Sequence, residues 1–224
     1  RIKQEKGLHI IPNFVDTDLY VRESSTKLPA EFLSKLGFTN MLYAGNIGLA
    51  QEWDLVLNLA NEIRDESITI WIIGEGIKKE YLKTQIEKHN LSNIKLLPYQ
   101  DRKYMPAINL FADFHFIAMD KSMENEGFPS KVYSIMASER PMVVVSSENT
   151  PITSFLSETD TSLLVTDHSL SGFKGAVLKL AGDQDLRISL GANGRKIIDQ
   201  DYTKEKVISQ YIDLFEKIVS KNNS

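Results

Sequence analysis

Residues 124–146 read ENEGFPSKVYSIMASERPMVVVS, and the succession of characters in that stretch decides the fold. An acidic turn with one glycine, Glu124 to Gly127, leads into Phe128-Pro129-Ser130-Lys131. An apolar helical face follows, and after Pro141 comes a pure β run, Met142 to Val145. Loop, helix and buried strand in that order make the second half of a βαβ crossover. Pro129 suits the first helical position, where its missing N–H leaves nothing unsatisfied. The free N–H groups beside it, at the positive end of the helix dipole, favour an anion.

The same alternation extends outward in both directions. Strand-like runs occur at 8–11, 40–45, 68–73, 93–97, 113–118, 142–146 and 162–165. Helical patterns lie between them at about 50–65, 77–90, 102–111, 129–138 and 150–157, and helices over 168–182, 184–199 and 203–219 close the chain. Strands separated by helices of that length imply right-handed crossovers and a doubly wound, mostly parallel, Rossmann-like α/β sheet with C-terminal helices. No internal repeat or linker divides the 224 residues, so a single domain is expected. The opening Arg1-Ile-Lys-Gln-Glu, without an initiator methionine, reads as the start of a piece of a longer protein.

Composition narrows the function. A net charge of −4 argues against a nucleic-acid surface, where clustered Lys and Arg are needed. With no cysteine there are no disulfides and no thiolate chemistry, which fits a reducing cytoplasm. No apolar run approaches the ~18 residues of a membrane span.

In an open parallel sheet, ligands bind beyond the carboxyl ends of the strands. Four loops there stand out. Gly45-Asn46-Ile47-Gly48-Leu49-Ala50-Gln51 is either a plain βα turn or a loop whose glycines let backbone approach a phosphate. Gly74-Glu75-Gly76 permits the same close approach, and a bare turn explains it equally well. In Leu97-Pro98-Tyr99-Gln100-Asp101, Asp101 reads as a helix cap, and Tyr99 either stacks on a base or packs. At the opening stretch, Lys131 opposes the helix dipole by a few tenths of a kcal/mol, and a bound phosphate reverses that sign. Glu126 suits sugar hydroxyls or the helix dipole, and Glu124 reads as a helix-dipole carboxylate.

Other features are set aside. Asp16-Thr17-Asp18 lacks a third ligand, Asp183 starts a helix, and the histidines at 9, 89, 115 and 168 show no metal-ligand spacing. His115 reads as a satisfied core residue.

Taken in order, these loops resemble the C-terminal, donor-binding domain of the retaining family 4 glycosyltransferases of the GT-B fold. Ile11-Pro12-Asn13-Phe14-Val15-Asp16 resembles that family's IPNGVD, with Phe14 at the glycine. Leu42-Tyr43-Ala44-Gly45 is similar to its first strand and turn, and Ile72-Ile73-Gly74-Glu75-Gly76 to its VGDG. Glu126-Gly127-Phe128, Met136-Ala137 and Pro141-Met142-Val143 follow its EGFG…EAMA.G.PVV block. Leu190 to Arg195 resembles its LGANAR helix.

The resemblance implies sugar transfer with retention from a nucleotide-diphosphate sugar, UDP-linked by the family's habit. It implies no metal or other cofactor, and an acceptor in polysaccharide or lipopolysaccharide assembly. It also implies a glycan or lipid-linked acceptor bound through a preceding N-terminal domain absent from this chain, no nucleic acid, no membrane span in this fragment, and a cytoplasmic or inner-membrane-peripheral location. Glu126 is the implied catalytic residue, gripping the sugar. Donor contacts are implied at Gly45, Asn46, Gly48, Gln51, Gly74, Gly76, Tyr99, Gly127, Phe128, Ser130, Lys131 and Ser134. Three of these depart from the family: neutral Asn46 and Gln51 stand at its diphosphate-binding Arg and Lys, and Ser134 stands at its ribose-binding Glu. Lys131 and backbone N–H groups are expected to take over the phosphate. Those departures keep open a degenerate, non-catalytic nucleotide-sugar module. A GT-B epimerase is a further alternative, while an NAD domain lacks its glycine fingerprint.

Overall fold

Six apolar runs pair in parallel register in the computed structural model, which describes residues 9–20, 28–33 and 38–222. The strands are β1 (Thr39–Ala44), β2 (Ile68–Ile73), β3 (Ile94–Leu97), β4 (Phe114–Ala118), β5 (Met142–Val145) and β6 (Ser162–Val165), in the order β3-β2-β1-β4-β5-β6. The helices are α1 (Ala30–Leu33), α2 (Trp53–Glu62), α3 (Lys79–Lys88), α4 (Met105–Phe111), α5 (Lys131–Ala137), α6 (Pro151–Leu156), α7 (Leu170–Gly182), α8 (Gln184–Asp201) and α9 (Lys204–Asn222). The sheet is therefore the doubly wound, Rossmann-like one expected.

Both faces of the central strands are covered, which is why β2, β4 and β5 are buried at every position and apolar except at Thr69 and His115. Met41, Tyr43, Ile70, Ile72, Phe114 and Phe116 point to the layer that holds Trp53, Leu59 and Phe173. On the other face, Ile117, Met142 and Val144 meet Val132, Met136 and Ile198, while Leu42 and Trp71 meet Phe32 and Ile108.

The chain reverses its winding between β1 and β4. That pair is joined in register only at Met41–Phe114 and Leu42–His115, whereas β1 and β2 pair over six positions. A crevice opens above the short ladder, at the reversal point where open α/β sheets take ligands.

His115 sits at the base of this seam with Nε2 3.3 Å from the Asn109 carbonyl oxygen. Burial, reinforced by the charges of Arg140 and Lys131, pushes its imidazole down to about 3 against the Asn109 bond. As pH falls below the free value of about 6.5, the unfolded chain takes a proton that the folded chain refuses, so stability drops. Between pH 7 and 4 the wild-type chain should lose about 3 kcal/mol more than His115→Gln, as measured by urea unfolding.

Several boundaries differ from the sequence expectations. Residues 9–11 form no strand, and Leu8 lies outside the described residues; Ile10 is exposed, and among the described residues the segment has no strand to join. Nearby, Val15 makes a single parallel bridge to Thr203. α2 starts at Trp53 rather than 50, because Gln51 bridges Met119 and the Glu52 N–H donates to the Ala118 carbonyl. Pro129 precedes the N-cap Ser130 instead of opening α5, although Val132 N–H still bonds the Pro129 carbonyl.

Candidate functional site

The crevice is built first from glycines. Gly45, Gly74 and Gly76 have φ of +147°, +154° and +153°, a backbone region that side-chain-bearing residues rarely enter. The two glycine turns lock together. A Cβ on Gly74 would lie 1.8 Å from the Gly45 carbonyl oxygen, and one on Gly76 would lie 2.3 Å from that of Ile47. Ile47 N–H donates to the Glu75 carbonyl at 2.8 Å, and Lys78 N–H returns to the Ile47 carbonyl at 3.0 Å. The Asn46 side chain lies over both Gly48 and Gly76, where a Cβ would meet its amide at 2.7 Å in each case.

The far end of this loop is equally fixed. Trp53 Nε1 donates to the Gly48 carbonyl at 2.8 Å, and Asp120 N–H donates to that of Ala50 at 3.0 Å. Gln51 is buried, with Nε2 on the Ala50 carbonyl and near the Met119 sulfur. Its Oε1 is buried with no hydrogen-bond partner among the described residues. Gln51 thus faces into the protein, at the junction of two loops.

Lys131, in the first turn of α5, provides the cation. Its Nζ stands 3.6 Å from the centre of the Tyr43 ring, and a Cβ on Gly45 would lie 2.8 Å from it. Burial draws the ammonium down to about 7, and among the described residues no carboxylate offsets that loss of water. The tyrosine face returns part of it as a cation–π contact. Tyr43 in turn donates its hydroxyl to the Asn46 carbonyl at 2.6 Å. The amine lines a small pocket of about 50 Å³ together with Ala44, Asn109, His115, Phe116 and Ser134 among others. Ser134 gives its hydroxyl to the Lys131 carbonyl at 2.9 Å.

The remaining predicted residues sort into open and packed positions. Glu126, Gly127 and Ser130 are exposed, and nothing lies within 4 Å of a Cβ placed on Gly127. Tyr99 is 59% exposed, close enough to Tyr43 to raise its hydroxyl further after burial has done so. Phe128 turns its ring away into an aromatic cluster, 5.4 Å from Tyr133 and 5.3 Å from Phe155. Asp101 caps the turn at 102–104 through Lys103 N–H, and Asp183 caps α8 through Leu186 N–H, as expected.

Glu124 departs from its expected role at the helix dipole. Its carboxylate is buried and accepts from Ser147 N–H at 2.8 Å, Ser146 Oγ at 3.3 Å and His168 Nε2 at 3.2 Å. Burial opposes its ionisation, but the Ser147 bonds and the His168 charge hold the carboxyl below its usual range. The other nitrogen of His168 meets Glu52 Oε2 at 2.8 Å. No metal-ligand spacing in the sequence pointed to this cluster, because His168 comes from the loop after β6. Among the described residues no group of three or more His, Asp or Glu is placed to hold a metal ion.

The chain matches the glycosyl transferases group 1 family over residues 24–197, and it belongs to that family. It is 31% identical over 97 residues to WcaI of Escherichia coli K12, named for colanic acid biosynthesis as a glycosyl transferase; that match covers 43% of this chain and 24% of that protein. It is 24% identical over 177 residues to the glycosyltransferase WbjE of Pseudomonas aeruginosa, covering 77% of this chain and 41% of that protein. It spans less than half the length of either relative. Among solved structures it is similar in fold to sucrose-phosphate synthase of Thermosynechococcus elongatus, with a TM-score of 0.78 at 16% identity, covering 95% of this chain and 53% of that one. Anabaena HepE in complex with UDP-glucose gives a TM-score of 0.75 at 15% identity, covering 95% and 57%. No helix among the described residues is long and apolar enough to cross a membrane.

Proposed function

We propose that this chain is the donor-binding half of a retaining, family 4 glycosyltransferase of the GT-B fold, and that its crevice holds a UDP-linked sugar. The observation that carries this reading is the placement of Lys131 Nζ over Tyr43 and against Gly45, at the mouth of two interlocked glycine turns. Backbone and one desolvated cation then face the same space. In this reading the diphosphate lies against Gly45, Gly48, Gly74 and Lys131, which supply fixed positive charge to the leaving group without reorganisation. Tyr99 stacks on the base, Asn46 and Ser130 line the phosphate, and Glu126 at the open lip grips sugar hydroxyls to orient the donor. No resident metal is required by this arrangement.

The acceptor, a glycan or lipid-linked precursor of a surface polysaccharide or lipopolysaccharide, is bound by a preceding domain that completes the cleft on the cytoplasmic side of the membrane. Support comes from this chain's covering only 53% and 57% of the sucrose-phosphate synthase and HepE chains, and from HepE's complex with UDP-glucose.

A second reading, a non-catalytic nucleotide-sugar module, is favoured by Gln51, whose amide is buried against Met119, and by Ser134, whose hydroxyl is spent on the Lys131 carbonyl and carries no charge. Calorimetric and NMR titration with UDP, GDP, ADP, NAD and their sugar conjugates tests both. Selective binding of UDP, with shifts at Gly45, Gly74 and Glu126 to Lys131, is expected. Preference for NAD sinks the donor-site reading, and selective binding without any transfer by a full-length enzyme leaves the module.

A further inference from the structure

The turn that carries Glu126 has little to hold it. Every residue from Lys121 to Gly127 is exposed except Glu124. Within the turn, Asp120 Oδ1 accepts from Ser122 N–H at 2.9 Å, and Glu126 N–H reaches the Met123 carbonyl at 3.1 Å. These bonds shape the turn, but they do not tie it to the sheet. The turn's ends are anchored, at Asp120 N–H on the Ala50 carbonyl and at the packed ring of Phe128, and between them the inward side chain of Glu124 is the tie. Its Oε2 meets the amide of Ser147 and the imidazole of His168, and His168 reaches on to Glu52, the N-cap of α2. Three loops, those after β1, β4 and β6, therefore converge on one buried ring, with Ser147 of the loop after β5 placing Oγ 3.3 Å from Nε2.

The residue that bears the ring has an unusual backbone. His168 has φ of +55°, a conformation uncommon outside glycine and asparagine, and its side chain is only 2% exposed. Both ring nitrogens face carboxylate oxygens, Nδ1 that of Glu52 at 2.8 Å and Nε2 that of Glu124 at 3.2 Å, so the imidazole bridges the two side chains. Asp120 and Asp167 are near enough for the His168 charge to help lower their carboxyls, after the hydrogen bonds from Ser122 and Ser169.

We propose that His168 is a positioning residue for the sugar of the bound donor. It fixes Glu124, and through Glu124 the turn, so that Glu126 stands ready at the lip of the crevice. This rests on the donor-site reading above. Gly74 and Lys131 lie on other elements, and Gly45, though on the loop that ends at Glu52, is held independently by its N–H on the Ile73 carbonyl and by the bonds of Ile47 and Trp53, so the effect of His168 falls on the sugar and spares the nucleotide. A carboxylate held in place binds hydroxyls at less ordering cost than one on a loose turn.

The test compares UDP with whichever of UDP-glucose, UDP-galactose and UDP-N-acetylglucosamine the wild-type chain binds most tightly, by calorimetry. In His168→Ala the advantage of the UDP-sugar over UDP should fall by about tenfold, the worth of a hydrogen bond to a charged group, while affinity for UDP changes less than about twofold. Glu126→Gln should lose the same advantage, and the double variant should lose no more than either alone. Should His168→Ala fail to fold by circular dichroism, Glu124→Gln carries the same comparison. Equal loss for UDP and UDP-sugar marks a merely structural role and overturns the proposal, as does an unchanged advantage or additive losses. A wild-type chain that binds UDP but gains nothing from any sugar also overturns it. A chain that binds no UDP removes the donor-site reading itself, and the inference with it.

Discussion

Gly74→Ala should destabilise this chain by at least about 3 kcal/mol, among the largest effects available to a single methyl group. The added Cβ would fall 1.8 Å from the Gly45 carbonyl oxygen. That atom is backbone, itself held because Gly45 N–H bonds the Ile73 carbonyl at 2.9 Å. No rotamer change relieves the contact, so the two turns must separate, and φ of +154° is strained for alanine in any case. Whatever survives folded should have lost affinity for nucleotide, since separation opens the space under Lys131. The control is Gly175→Ala within α7, where nothing lies within 4 Å of the new methyl. Helix propensity predicts that this control gains up to about 1 kcal/mol. Urea unfolding of both variants reads the difference, and a Gly74→Ala chain of wild-type stability would show that the turns are not locked.

The second large effect concerns Lys131, and it runs in opposite directions for stability and for binding. In the unliganded chain burial holds the ammonium at about 7, below its ordinary value of 10.5. Between those two values the unfolded chain binds the extra proton, so the folded state gains stability as pH rises from about 7 to 10. The gain should reach a few kcal/mol at most, since part of the side chain remains in contact with water. Affinity for UDP moves the other way. Phosphate interacts with the charged amine, and above about pH 7 its own oxygens no longer titrate. Binding above that pH therefore takes up a proton at Lys131 and should weaken by up to tenfold per unit until the liganded amine itself deprotonates. Lys131→Met should abolish both trends and lower UDP affinity at pH 6.5 by about tenfold or more. Calorimetry at pH 8 in two buffers of different ionisation enthalpy counts the proton. Affinity flat from pH 7 to 9 would mean that the amine is charged already or does not meet the phosphate.

The fold could be read from the chain because a sheet covered on both faces leaves an unmistakable trace. Ile68 to Ile73 and Met142 to Val145 are apolar at every position or nearly so, and the helices between them have the length of crossovers. The error at 9–11 comes from the same rule, since an apolar run becomes a strand only where a neighbour offers hydrogen bonds. Glycines 45, 74 and 76 were legible as turns needing freedom. Their reason was not, because Gly45 and Gly74 meet across two strands and no local pattern records it. The cluster around His168 was hidden more deeply. Its members lie 44 and 116 residues from the histidine, and each alone is an ordinary loop residue. Gln51 shows the limit of resemblance: its place in the family pattern is a ligand position, while in this chain its amide lies near Met119.

The loop from Gly45 to Glu52 is stitched at one end to the turn at 74–78 and at the other to the end of β4. A strap sewn down on both sides cannot lengthen or swing. On this side, therefore, the crevice keeps one width whatever enters it.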